Sequence, residues 1–343
     1  MSFLLRRFAY YSCIATILLR FGLLGQLGAN GQLYNLYGQK KLATHTITVD
    51  QSGKGNFTKI QSAIDAVPSN NKDWVCIKIS AGTYREKVKI PFDKPYILLK
   101  GENKRRTQIV WDDIGPVDQS ATFISAAPSI TVKSITFANS YNNPFNSNRQ
   151  VTQALAAMIS GDKTSFYKCG FFGFQDTLWA VEGRQYYKHC TIQGAVDFIF
   201  GHAQSVFEGC FISVLAGNLQ PGGIGYITAQ GRDQPDESGG FIFKQCRVHG
   251  TGATYLGRAW RPYSRVIFYN SNFSDIVVPQ GWDGWQALGH EDQLTFAEYG
   301  CYGPGADTSK RVSWEKKLSP EMVQQFTSTN FIDSDGWLTD QPF

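Results

Sequence analysis

The chain has 343 residues, 42% of them hydrophobic and 18% charged, with a formal net charge of +5. This composition excludes a long disordered or low-complexity chain and suits one or two globular domains. The charge is too small to argue for a nucleic-acid partner.

The N-terminus differs from the rest. Arg6 and Arg7 precede an apolar run over residues 8–19; Arg20 interrupts it and residues 21–27 resume it, before the small residues Gly28, Ala29 and Gly31. A basic start, an apolar middle and a small-residue exit predict a secretory signal over residues 1–31. The unbroken apolar stretch is too short for a comfortable membrane span, so no membrane association is expected after its removal. Without residues 1–31, Lys+Arg falls from 33 to 30 against 28 Asp+Glu, and the net charge drops from +5 to +2.

The next segment, residues 45–68, has helical spacing at Phe57, Ile60, Ile64 and Val67, with Pro68 as the stop. It predicts a short helix capping the N-terminal end of the domain. Beyond it, short β-rich runs recur between Gly, Asn, Asp and Ser, and one pattern returns: an apolar residue, two others, a small residue, another, then an apolar one. Val132, Phe166, Tyr187, Phe207, Phe243 and Phe268 open these runs. Ile135, Cys169, Cys190, Cys210, Cys246 and Ser271 fill the small position, at steps of 34, 21, 20, 36 and 25 residues. Steps near 20 match one coil of a parallel β-solenoid, and longer steps add loops to a coil. The scarcity of hairpin-type turn pairs argues against an antiparallel sandwich. The expected fold is therefore all-β: a right-handed, single-stranded parallel β-helix over residues 45–343, with no second domain. A short closing helix is expected over residues 319–326.

The cysteines then read as stacked core residues first and disulfides second. Six cysteines follow the signal, enough for 15 pairings between which sequence cannot choose. Their spacing does not suggest zinc. Asn56 and Asn272 head N-x-Ser/Thr sequons, glycosylation acceptors if the chain is exported.

The stretch QGAVDFIFGHA, residues 193–203, sets one acid, Asp197, inside an apolar run. Burying a lone carboxylate is costly. Twenty-one residues earlier stands Asp176, the same step as from Cys169 to Cys190. The two aspartates thus fall at equivalent places in adjacent coils, about 4.8 Å apart. Gln153 lies 22 residues before Gln175, which extends the polar column to a third coil. Two stacked carboxylates cannot both ionise easily, so one holds a proton and the other a charge, a division suited to acid–base and nucleophilic work. Arg258 is the cation expected for the anion, and Trp260, two residues on, shares its strand face. The glutamine amides could donate to an oxyanion. A plain polar ladder or a structural Asp–Arg pair is the bland alternative.

GTYREKV (82–88), TQALAA (152–157), GFQDTLW (173–179), VDFIFG (196–201), ITAQGR (227–232), YLGRAWRPYS (255–264) and QGWDGW (280–285) together resemble the pectin methylesterases (pectinesterases) of plants and pectin-degrading bacteria. The resemblance implies a right-handed parallel β-helix that removes methyl esters from methylated polygalacturonate and releases methanol. It implies Asp197 as nucleophile, Asp176 as acid/base, Gln175 as transition-state stabiliser and Gln153 as substrate and oxyanion contact. Arg258 would hold Asp197 ionised and touch substrate. Thr122, Phe200 and Trp260 would contact substrate or line the sugar cleft. No metal or organic cofactor is implied. The expected partners are pectin and a proteinaceous pectinesterase inhibitor, and the expected form is a monomer secreted to the cell wall. Three departures stand out: Met158 where the family has arginine, His202 where many members have asparagine, and no inhibitor-like pro-region, the last of which looks like a short plant form. A pectin glycosidase or lyase, a non-catalytic wall-binding protein and a serine esterase are the rival readings; no GxSxG elbow supports the last.

Overall fold

The computed structural model describes Ala43, residues 45–142 and residues 150–342. The expected signal, residues 1–31, lies outside these described residues. Residues 42–343 form one compact unit.

Each full coil supplies three strands. Thr164–Tyr167, Gly170–Phe172 and Leu178–Ala180 make one coil; Arg184–Lys188, Thr191–Gly194 and Val196–Gly201 make the next. Among the described residues the strands stack into three parallel sheets of ten, eight and eight, a right-handed parallel β-helix. We call them sheet A (with Thr164–Tyr167), sheet B (with Leu178–Ala180) and sheet C (with Gly170–Phe172).

The recurring pattern marks the passage from sheet A to sheet C. Phe166, Tyr187, Phe207, Phe243 and Phe268 are strand partners in consecutive coils of sheet A. Their rings stack in sequence at centroid distances of 5.1, 4.6, 4.6 and 4.4 Å. The next partner of Phe268 is Glu298, whose buried carboxylate grips Arg311 at 2.6 Å. An ion pair therefore ends the aromatic stack.

The residue before each small position has a left-handed backbone: Ser134, Lys168, His189, Gly209, Gln245, Asn270 and Gly300 have φ between 48° and 64°. Lysine and histidine rarely adopt it alone; here the backbone ladder imposes it, as where the His189 amide donates to Glu208 in the next coil at 2.9 Å. The bend turns the following side chain inward. Cys169, Cys190, Cys210 and Cys246 are buried, and all six described cysteines are free thiols. Each of these four donates its thiol to a carbonyl of the preceding coil.

Two end elements differ from expectation. His45–Val49 is the first strand of sheet A, not part of a helix. The capping helix, α1, spans only Ile60–Asp65; Phe57 instead bridges to Val49. Lys59 supplies no side-chain cap, and the carboxylate of distant Glu86 accepts from the Ile60 and Gln61 amides at 3.1 and 3.2 Å. Tertiary contact thus satisfies the orphan donors that open a helix. The closing helix α2, Pro320–Thr327, starts where the Ser319 cap and Pro320 place it. With α3, Asn330–Asp333, it packs Phe326, Ile332 and Trp337 onto Tyr186, Val206, Ile242 and Ile267 of sheet A.

Candidate active site

Parallel bridges pair Gln153 with Gln175 and Gln175 with Val196. The next residues along, Asp176 and Asp197, therefore stand level in adjacent coils of sheet B. Both have left-handed backbones, φ 57° and 47°, a conformation aspartate tolerates better than most residues. A register shift between Val196 and Ile199 puts a bulge at Asp197, and bulges re-aim side chains. The flanking glycines are required: a Cβ at Gly194 would meet Phe198 at 2.2 Å, and one at Gly201 would meet the Ala180 carbonyl at 1.8 Å.

Arg258 anchors Asp197. Its Nε and Nη2 donate to the two carboxylate oxygens at 2.8 and 2.5 Å. The guanidinium is sandwiched between aromatic faces, 4.2 Å from the Tyr226 centroid and 3.9 Å from that of Trp285. Both carboxylates are buried, Asp176 at 4% and Asp197 at 8% exposure. Burial, then the neighbouring Asp197 charge, pushes Asp176 up to about 7, against a weaker pull from a Gln153 hydrogen bond and Arg258. Burial also raises Asp197, but the Arg258 fork opposes it, and the shift is smaller. The pair splits as stacked acids should: Asp176 keeps a proton near neutrality while Asp197 is the readier anion. The site can therefore present an anion beside an acid, with exposed Gln153 and half-buried Gln175 adding amide donors.

Alongside runs an apolar strip. Ile124, Met158, Trp179, Phe200, Ala229 and Arg258 are successive strand partners in sheet B. Trp179 stacks on Phe200 at 5.3 Å, and Trp260 meets Phe200 edge-on at 6.0 Å. His202 packs against Trp260 at 5.0 Å, and burial there lowers its pKa. Met158 thus extends a hydrophobic wall. The structure does not bring Thr122 to that wall: it is fully buried, and its hydroxyl donates to the Ala138 carbonyl at 3.0 Å. Tyr226 and Trp285 were not assigned a role from sequence. Trp285 lies in the quoted QGWDGW, and counting coils back from Tyr255 would have reached Tyr226. Among the described residues, no three His, Cys, Asp or Glu side chains gather as metal ligands.

A family model described as Pectinesterase matches residues 46–335. The chain is 57% identical to probable pectinesterase 29 of Arabidopsis thaliana over 86% of this chain and 89% of that one. It is 55% identical to probable pectinesterase 55 of the same plant, over 86% and 91%. Of solved structures, the pectin methylesterase from carrot superposes with a TM-score of 0.79 at 32% identity, over 87% of this chain and 96% of that chain. The pectin methylesterase from Aspergillus niger superposes with 0.73 at 31% identity, over 87% and 96%.

Proposed function

The chain belongs to the pectinesterase family and hydrolyses the methyl esters of pectin; from that premise we propose that Asp197 is its nucleophile and Asp176 its acid and base. The supporting observation is the level pair of buried aspartates with the arginine fork on Asp197 alone. A carboxylate oxygen of Asp197 attacks the C6 ester carbonyl. The Gln153 and Gln175 amides receive the oxyanion. As the intermediate collapses, the C–OCH3 bond breaks and Asp176 gives its proton to the departing methoxide, leaving methanol and an acyl-Asp197 anhydride. Asp176, now ionised, takes a proton from water, the hydroxide attacks the acyl carbon, and galacturonate leaves Asp197 free. Arg258 keeps Asp197 ionised and reaches substrate, and Phe200 and Trp260 line the sugar cleft.

The remaining expectations join this reading. Residues 1–31 act as a secretory signal, the mature domain of residues 45–343 works as a monomer on cell-wall pectin outside the cell, and a proteinaceous inhibitor is its other partner. Of the two sequons, exposed Asn56 suits glycosylation. Asn272 sits in a strand and spends its amide on Tyr302.

The test is methanol release from highly methylated pectin, with viscosity followed in the same tube. Methanol without chain scission is expected, and Asp197→Asn should release none while keeping the wild-type fold. Full activity in Asp197→Asn would refute the assignment; early viscosity loss would favour a chain-cleaving enzyme.

A further inference from the structure

Arg258 must lie in one plane to grip both oxygens of Asp197, and its two aromatic walls set that plane. Asp283 braces the Trp285 wall. It is the strand partner of Arg258 in the following coil. Its Oδ1 accepts from the Trp285 amide at 2.9 Å, closing a turn in which Trp285 has φ 37°. That backbone is costly for a bulky residue and needs support from outside. Burial, and after it the charge of this same carboxylate, raises the Tyr226 pKa, so the carboxylate also lies near the phenol. One side chain thus ties down the Trp285 face of the guanidinium sandwich and sets a charge near its Tyr226 face.

We propose that Asp283 is a positioning residue of the ester-cleaving site: by bracing Trp285 it holds the Arg258 guanidinium square to Asp197. This rests on Asp197 as the nucleophile. Asp283 acts through the arginine and touches no reacting atom. It also carries charge. The groups facing Asp197 are Asp176 from the preceding coil and Arg258 and Asp283 from later ones; Tyr226 lies against Arg258, and Tyr255 stacks on Tyr226 at 5.3 Å. The Asp283 charge opposes ionisation of Asp197, whereas its bracing favours it, so two variants separate the effects.

Asp283→Asn keeps an oxygen for the Trp285 amide and removes the charge. It should keep kcat at neutral pH within about threefold and move the acid limb of kcat/KM to lower pH. Asp283→Ala removes both; kcat should fall about tenfold or more with KM little changed, and the acid limb should move to higher pH as the loosened arginine releases Asp197. Trp285→Leu, which removes the wall but keeps the Asp283 charge, should also lower kcat and move the acid limb to higher pH. Thermal unfolding of each variant sets the folded fraction at the assay temperature. The proposal is overturned if the Asp283 variants keep the wild-type limb, or if Asp283→Ala loses rate only in proportion to its unfolded fraction. Asp197→Asn is run alongside: activity there would remove the underlying assignment instead, independently of Asp283.

Discussion

Replacing Asp176 with asparagine should make the protein more stable and inactive, and the pH dependence of the gain follows from the site. Asp176 is almost fully buried, and its pKa rises from 3.8 to about 7. A group with a raised folded-state pKa favours folding only while protonated. Its contribution is complete below the unfolded value and is lost as pH climbs through the folded one. Between pH 4 and pH 8 the wild type therefore gives up roughly three pK units of stability, about 4 kcal/mol at 1.36 kcal/mol per unit. Asparagine has nearly the same shape and never ionises, so the variant escapes this loss. At pH 4 the two proteins should melt within about a degree of each other, and at pH 8 the variant should melt roughly 5–10 °C higher. Differential scanning calorimetry at pH 4, 6 and 8 reads the divergence, and methanol release confirms lost turnover. If both melting curves run parallel from pH 4 to pH 8, Asp176 does not carry the raised pKa and the division of labour between the aspartates fails.

Three further outcomes follow from other parts of the molecule. Met158→Arg puts a cation into the apolar strip beside Trp179; initial rates should shift toward sparsely methylated pectin by up to about fivefold, the size of an exposed ion pair with free galacturonate. An unchanged rate ratio would place Met158 outside substrate reach. Phe207→Ala opens the middle of the aromatic stack and should cost about 3–5 kcal/mol in urea unfolding; a loss under 1 kcal/mol would deny that the stack is packed core. Because the described cysteines are free, adding reductant should leave the melting temperature unchanged, and a drop of several degrees would reveal a disulfide.

Much of this architecture is written along the chain because a solenoid converts distance in sequence into stacking in space. A step of 21 residues from Cys169 to Cys190 is one coil, so the same step from Asp176 to Asp197 already sets the two carboxylates level. The small slots, the aromatic openers and the Ser319–Pro320 helix start are legible for the same reason: each depends on local spacing or a local cap. What tertiary structure decided involves groups brought together by loops of irregular length or by the direction a side chain takes. Glu86 caps a helix 26 residues earlier, and the opening segment begins as a strand because sheet A offers it a pairing edge. Glu298 takes an aromatic's place because Arg311 folds back to neutralise it. Thr122 turns inward to the Ala138 carbonyl, which no spacing reveals. Arg258 could be named from sequence as the partner of Asp197, but its clamp between Tyr226 and Trp285 exists only after three coils have stacked. Periodicity fixes which backbone positions meet, while the plane of a guanidinium and the ionisation of a buried acid depend on everything packed around them.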